Sequence, residues 1–245
     1  MQHYDQYTTT DHEVWNTLFE RQMDQLYDYA CPEYVECVNE LSDVFHADAI
    51  PVLSDLSDAI QDKSGWTITI VPGLIPADRF LFLLSKKIFC SSTWLRKKEQ
   101  LDYIEEPDMF HDVFGHIPLL IHPVYSRFMR ELGELAGQWN HPDHIKLLER
   151  LYWYTIEFGL IEHKEQRQIY GSGIVSSYGE TKKVMLDSTA VSPFKLEDVL
   201  ESGFRKDIMQ DQYFTLSALD DLREIIPQLE HWFRTADPRV QAAHY

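Results

Sequence analysis

From Thr10 onward, Trp15, Leu18, Phe19, Gln22 and Leu26 form a mostly apolar stripe at helical spacing that runs up to Cys31–Pro32. The TDHE at its head offers a capping box. Val35, Val38, Leu41 and Phe45 continue the spacing, and SDLSDAIQDKSG has a serine cap before it and Gly65 after it. Residues 1–65 therefore read as a helical N-terminal part. The pattern then changes. WTITIVPG is rich in β-branched residues and closed by Pro-Gly, which predicts a strand over residues 66–71, with a second strand over 87–93. Helical periodicity returns over 106–116, 124–138, 143–163, 178–187 and 219–233, with turns at Pro118, Pro142, Gly171 to Gly173 and Pro193. No repeat, low-complexity tract or Gly/Ser-rich linker divides the chain. The expectation is one mainly α (α+β) domain over residues 1–245, with many helices and a few short strands.

A chain of 245 residues, 44% hydrophobic and 13% aromatic, supplies a sizeable core. Asp and Glu outnumber Lys and Arg by 40 to 22, for a net charge of −18, which disfavours nucleic acid and anionic membranes as partners. The three cysteines, Cys31, Cys37 and Cys90, are odd in number and lack any CxxC spacing, so they read as reduced packing cysteines in a cytoplasm. No basic leader or membrane-length apolar run occurs, and the expected location is cytoplasmic.

The chemistry concentrates in EEPDMFHDVFGHIPLLIHP, where His111 and His116 sit inside an apolar run between Pro107 and Pro118. Buried histidines need partners for their ring nitrogens. Five residues along a regular helix rotate the second ring by about 500°, roughly 140° away from the first, so the helix is expected to end or bend between them. Gly115 and Pro118 offer such an ending. In LYWYTIEFGLI, Glu157 is the only charged side chain of a largely apolar helix, and a lone buried carboxylate needs a cation. Two imidazoles and a carboxylate form the facial set that leaves open positions on ferrous iron. HExxH is absent, which disfavours a zinc hydrolase. From spacing alone a second reading stands equal: core histidines bonded to backbone carbonyls, with Glu157 paired to Arg127 or Arg150. Trp153, four residues before Glu157, shares its helical face and would suit a flat ring substrate, or is an ordinary core tryptophan.

EPDMFHDVFGHIPLL, LYWYTIEFGL and YGSGIVSSYGE, in that order, resemble the motifs of the pterin-dependent aromatic amino acid hydroxylases, the family of phenylalanine, tyrosine and tryptophan hydroxylases. The similarity runs from WTITIVPG to QYFTLSALDDL. It implies a catalytic domain built around a mononuclear iron site, with Fe(II) held by His111, His116 and Glu157, electrons from a tetrahydropterin such as tetrahydrobiopterin, and O2 as co-substrate. The implied reaction is a monooxygenation of an aromatic amino acid ring. L-Phenylalanine to L-tyrosine is favoured because Tyr152–Trp153 resembles the phenylalanine and tyrosine hydroxylases. Hydroxylation of tyrosine or tryptophan, or a non-catalytic metal-binding role, are the alternatives.

By the same resemblance Arg96 would bind the substrate carboxylate, with Trp153 and Ser176 beside the substrate. Ser176 would also orient His111. Read without the family, Arg96 is a surface charge. Phe80 aligns with the pterin-stacking phenylalanine, Gly73 and Ile75 lie in a loop along the cofactor's edge, and Asp112 stands where some relatives carry a glutamate that reaches the pterin through water. Cys90 and Ile104 replace polar residues of animal relatives. The short lead-in implies no regulatory domain, and the lack of a terminal heptad helix implies no tetramerisation, so a bacterial-type monomer is expected.

Overall fold

A computed structural model describes residues 1–102, 104, 106–164, 166–186, 189–205 and 209–235. The N-terminal part is helical as expected. It comprises α1 (Thr9–Tyr29), α2 (Pro32–Glu40) and α3 (Leu53–Ser64). Three boundaries differ from the sequence reading. The capping box belongs to Thr8 and Asp11, one turn's edge earlier than TDHE suggests, because Thr8 is the residue in extended conformation. Val52, with no side-chain cap, precedes α3 instead of a serine. α2 stops at Glu40, so Phe45 enters the core from a turn. Gly65 closes α3 in the left-handed region at φ 76°, the conformation that favours glycine there.

β1 (Thr67–Ile70) and β2 (Ile88–Ser91) pair in parallel, joined through α4 (Ala77–Ser85). Their C-terminal ends feed the 71–76 loop and the 92–96 segment into the same cleft, the usual place for a ligand in a parallel sheet. α4 packs on α5 (Pro123–Gln138), and α6 (Pro142–Tyr152) follows.

The helix predicted over 143–163 does not persist. It widens into a π-turn at Trp153–Glu157, where the Phe158 N–H donates to Trp153 O at 2.9 Å, and then becomes strand β3 (Gly159–His163). β3 pairs antiparallel with β4 (Gln166–Ile169) and parallel with β6 (Gln212–Leu216), and β6 pairs in parallel with β5 (Ala190–Pro193), giving the order β4-β3-β6-β5. This sheet was not visible in the apolar periodicity, because FGLIE reads equally as a helix or a strand. α7 (Ser172–Val175), α8 (Tyr178–Leu186), α9 (Leu196–Glu201) and α10 (Leu222–Thr235) complete the described elements.

The 106–116 segment becomes helical only at Met109 and forms a second π-turn over His111–His116. The helix neither ends nor bends. A π-turn closes after about five residues, so positions i and i+5 stand nearly one above the other. Gly115 therefore has another role: a Cβ there would lie 2.8 Å from the backbone oxygen of Ser172, so glycine lets α7 approach. Behind the turn, Phe110 stacks on Phe114 with centroids 4.7 Å apart, and Phe19 and Trp15 of α1 pack edge-on against them. The apolar back of the turn is thereby locked into the core while its histidine edge faces the cleft.

Candidate metal centre

The two π-turns face each other across a cavity of about 370 Å³. At its base the Nε2 atoms of His111 and His116 lie 3.3 Å apart. His116 Nε2 is 3.2 Å from Glu157 Oε1, and His111 Nε2 is 3.6 Å from Glu157 Oε2. Donors at 2.0–2.1 Å from one ion stand roughly 2.9–3.4 Å apart for right-angled to tetrahedral arrangements, so the 3.3 and 3.2 Å separations suit a small divalent metal and the 3.6 Å one, to the other carboxylate oxygen, lies just outside that range. It is the one such group of histidine, cysteine and carboxylate donors among the described residues.

Hydrogen bonding sets the ring tautomer of His111. The Ser176 hydroxyl donates its single proton to Ser172 O at 2.7 Å, so it accepts from His111 Nδ1–H at 2.9 Å. The lone pair of His111 is then on Nε2, aimed at Glu157. Acceptor electron pairs pointed at one another are what a bound cation reconciles. On the other side, the Tyr152 hydroxyl lies 3.5 Å from His116 Nδ1 with its ring stacked on the imidazole, and the Ser172 hydroxyl lies 2.9 Å from Glu157 Oε2.

Burial pushes His111 down to about 4, against the pull of the Glu157 charge, so its ring is neutral near pH 7. Burial alone would raise Glu157, but His116, His111 and the Ser172 hydroxyl more than offset it and hold the carboxyl at about 2. The donor set is thus two imidazoles and one carboxylate. The reading that paired Glu157 with an arginine does not hold, since Arg127 bonds Glu131 and Arg150 bonds the Leu200 carbonyl.

Arg96 is 5% exposed, which corrects its reading as a surface charge. Its Nε and Nη2 each donate to Asp108 at 2.9 Å, and its backbone N–H donates to the same carboxylate. One edge of the guanidinium is therefore committed, and the Nη1 side is the part that can meet a substrate carboxylate. Asp108 also accepts the His111 N–H at 3.1 Å, tying the arginine to the first turn of the metal helix.

Trp153 lines the cavity with Phe158 and Phe204, its ring 4.7 and 4.8 Å from theirs. Gly73, Ile75 and Phe80 line the same cavity, with Phe80 edge-on to Phe89 and Tyr152. Asp112 and Ser176 face the same space. Burial pushes the Asp112 carboxyl up to about 7, while the Ser92 N–H, donating to it at 2.7 Å, opposes that rise. Cys90 and Ile104 also reach the cavity. Every metal, substrate and cofactor residue expected from the sequence thus lines one cavity. The sequence did not single out Asp108, Ser172, Phe158 or Phe204, and it marked Tyr152 only as a clue to the substrate. Of these, Asp108, Tyr152, Ser172 and Phe158 lie within the quoted motifs and could have been found there, whereas Phe204 has no local signal.

Comparison with known proteins places these motifs. A family profile described as biopterin-dependent aromatic amino acid hydroxylase matches residues 3–241. Phenylalanine-4-hydroxylase of Caulobacter vibrioides is 39% identical over 225 residues, covering 91% of this chain and 76% of that protein. The Pseudomonas aeruginosa phenylalanine-4-hydroxylase is 36% identical, covering 96% of this chain and 85% of its own length. The crystal structure of Chromobacterium violaceum phenylalanine hydroxylase with bound iron(III) and the oxidised cofactor 7,8-dihydrobiopterin superimposes with a TM-score of 0.88 at 37% identity, covering 97% of this chain and 86% of that one. With a profile match over nearly its whole length and relatives at this identity, the chain belongs to the biopterin-dependent aromatic amino acid hydroxylase family.

Proposed function

We propose that this protein is a phenylalanine 4-monooxygenase that converts L-phenylalanine to L-tyrosine with Fe(II), a tetrahydropterin and O2. The observation that carries it is the convergence of two imidazoles and one carboxylate at the base of an aromatic-walled cavity. The names of the relatives support the choice of phenylalanine. Bound iron and pterin supply the activation of oxygen and the electrons that the hydroxylation consumes.

The residues divide the remaining work. His111, His116 and Glu157 hold the metal, with Ser176 and Ser172 fixing the orientation of two of them. The free edge of Arg96 takes the amino acid carboxylate, and Asp108 holds that edge in place. Trp153 and Phe158 form the wall for the ring, whose planar faces match theirs. Phe80 stacks the pterin, and the loop with Gly73 and Ile75 follows its edge while Asp112 meets its polar side. Three buried, unpaired cysteines suit a reducing cytoplasm, and a monomer is the assembly we infer.

Pure protein supplied with Fe(II), a reduced pterin and each of phenylalanine, tyrosine and tryptophan tests this. Tyrosine formed from phenylalanine, dependent on both iron and pterin, is the expected result. No hydroxylated product from any of the three would sink it. Hydroxylation of tryptophan or tyrosine in preference would move the substrate within the family. Glu157→Ala should lose iron retention.

A further inference from the structure

Gln210 stands behind the aromatic wall, 5% exposed and outside the cavity lining. Its side-chain amide has one orientation that suits both neighbours, because an indole N–H only donates and a backbone carbonyl only accepts. Oε1 accepts from Trp153 Nε1 at 2.9 Å, and Nε2 donates to the Arg205 carbonyl at 2.9 Å. The main chain of the same residue is also held. Its N–H donates to Glu180 Oε1 at 3.1 Å, and its carbonyl accepts from the Lys183 ammonium. Glu180, itself buried, takes a further hydrogen bond from the Tyr213 hydroxyl.

The other contacts of Trp153 act through its ring faces. Phe204 stacks at an interplanar angle of 26° and Phe158 lies tilted at 44°. Stacking restrains the plane of a ring and leaves it free to turn and slide within that plane. The indole N–H bond removes that freedom.

We infer that Gln210 is a positioning residue for the aromatic amino acid: it fixes the indole of Trp153 against the substrate ring, and Glu180 on α8 holds Gln210 in turn. The inference rests on the reading that Trp153 walls the amino acid site. A misplaced wall loosens the amino acid and leaves the metal and the pterin end of the cavity untouched.

Three variants of the iron-loaded enzyme test it: Gln210→Met, which keeps the volume and loses both amide bonds; Gln210→Asn, which keeps the polarity and falls short of the indole; and Trp153→Phe, which removes the donor. Losing a buried hydrogen bond of this kind corresponds to about a tenfold rise in KM and in the calorimetric Kd for phenylalanine. The KM for the pterin and the iron content should stay at wild-type values. Because Gln210 acts through the indole N–H, adding Gln210→Met to Trp153→Phe should raise the amino acid KM no further. If Gln210→Met fails to fold, Gln210→Asn carries the same expectation. Folded variants with an unchanged phenylalanine KM, equal rises in both KM values, or additive effects in the double variant would overturn the inference while the proposed activity stands. A wild-type enzyme that hydroxylates no aromatic amino acid overturns both.

Discussion

Gly171 offers a demanding test of how the metal site is braced. It joins β4 to α7, with φ −66° and ψ 130°, a conformation open to any residue, so replacing it by alanine introduces no backbone strain. The effect is one of space. An alanine Cβ would lie 2.5 Å from Glu157 O and 2.5 Å from Gly159 N, both backbone atoms, where ordinary contact begins at 3.4 Å. The 157–159 backbone must therefore retreat by about 0.9 Å. That same segment carries the Glu157 carboxylate, set 3.2 and 3.6 Å from the two imidazoles. Overpacking of this kind costs about 1–3 kcal/mol. For a domain of this size, that lowers Tm by about 2–12 °C. Displacement of a ligand's support typically weakens metal binding by about 10–100-fold. Differential scanning calorimetry of the metal-free protein and iron titration against a competing chelator read the two effects separately. Gly137→Ala, in α5 with nothing within 4 Å of the new methyl, is the control and should gain up to about 1 kcal/mol. A Gly171→Ala protein with the wild-type Tm and iron affinity would refute the argument.

Ser176→Ala should leave the fold intact and reduce iron affinity by about 10–100-fold, because the His111 ring loses the acceptor that fixes its tautomer; equal affinity by chelator competition would count against it. Glu180 is raised above its ordinary 4.5 by burial, with hydrogen bonds from Tyr213 and Gln210 opposing the rise. A carboxyl whose folded pKa is the higher one keeps its proton longer when folded, so its contribution to stability declines as pH climbs above 4.5 through the folded value. Glu180→Gln removes that titration, and its stability relative to wild type should increase from acidic to neutral pH in urea unfolding; a pH-independent difference would contradict the assignment. Burial pushes the Cys37 thiol up to about 12, so thiol reagents at mildly alkaline pH should label the native protein slowly and the denatured protein fast. Rapid native labelling of Cys37 would show that its site opens.

The helical frame was legible because α1 and α5 carry long apolar stripes and recognisable ends. Strand β1 was legible through TITI and its closing Pro-Gly, and β2 falls within the second strand expected over 87–93. β3 was not, since GLIEH continues a helix-forming run and one of its two pairing partners, β6, lies some fifty positions later in the chain. The ligand histidines and Glu157 stood out as polar groups in apolar surroundings, but residue types alone left them balanced between a metal site and an ordinary core. The motif resemblance moved that balance, and the cavity brings the three together. The partners that orient them, Tyr152, Ser172 and Ser176, act through tertiary contacts whose sequence separations run from 15 to 65 residues. No local pattern specifies such contacts.

The widened turns give the site an arithmetic of its own. In a regular helix a four-residue interval brings two side chains to one edge, whereas His111 and His116 need five because their turn holds an extra residue. Removing one residue between them would let the turn relax to ordinary pitch, with both histidines still on one edge, now four apart, and the residues between them shifted around the helix. A narrower turn no longer sets His116 Nε2 at its 3.2 Å from Glu157 Oε1, and the buried Val113 and Phe114 between the histidines lose their places against the core. The metal site is therefore written in the number of residues as well as in their identity, and a single-residue deletion here is a more severe change than most substitutions.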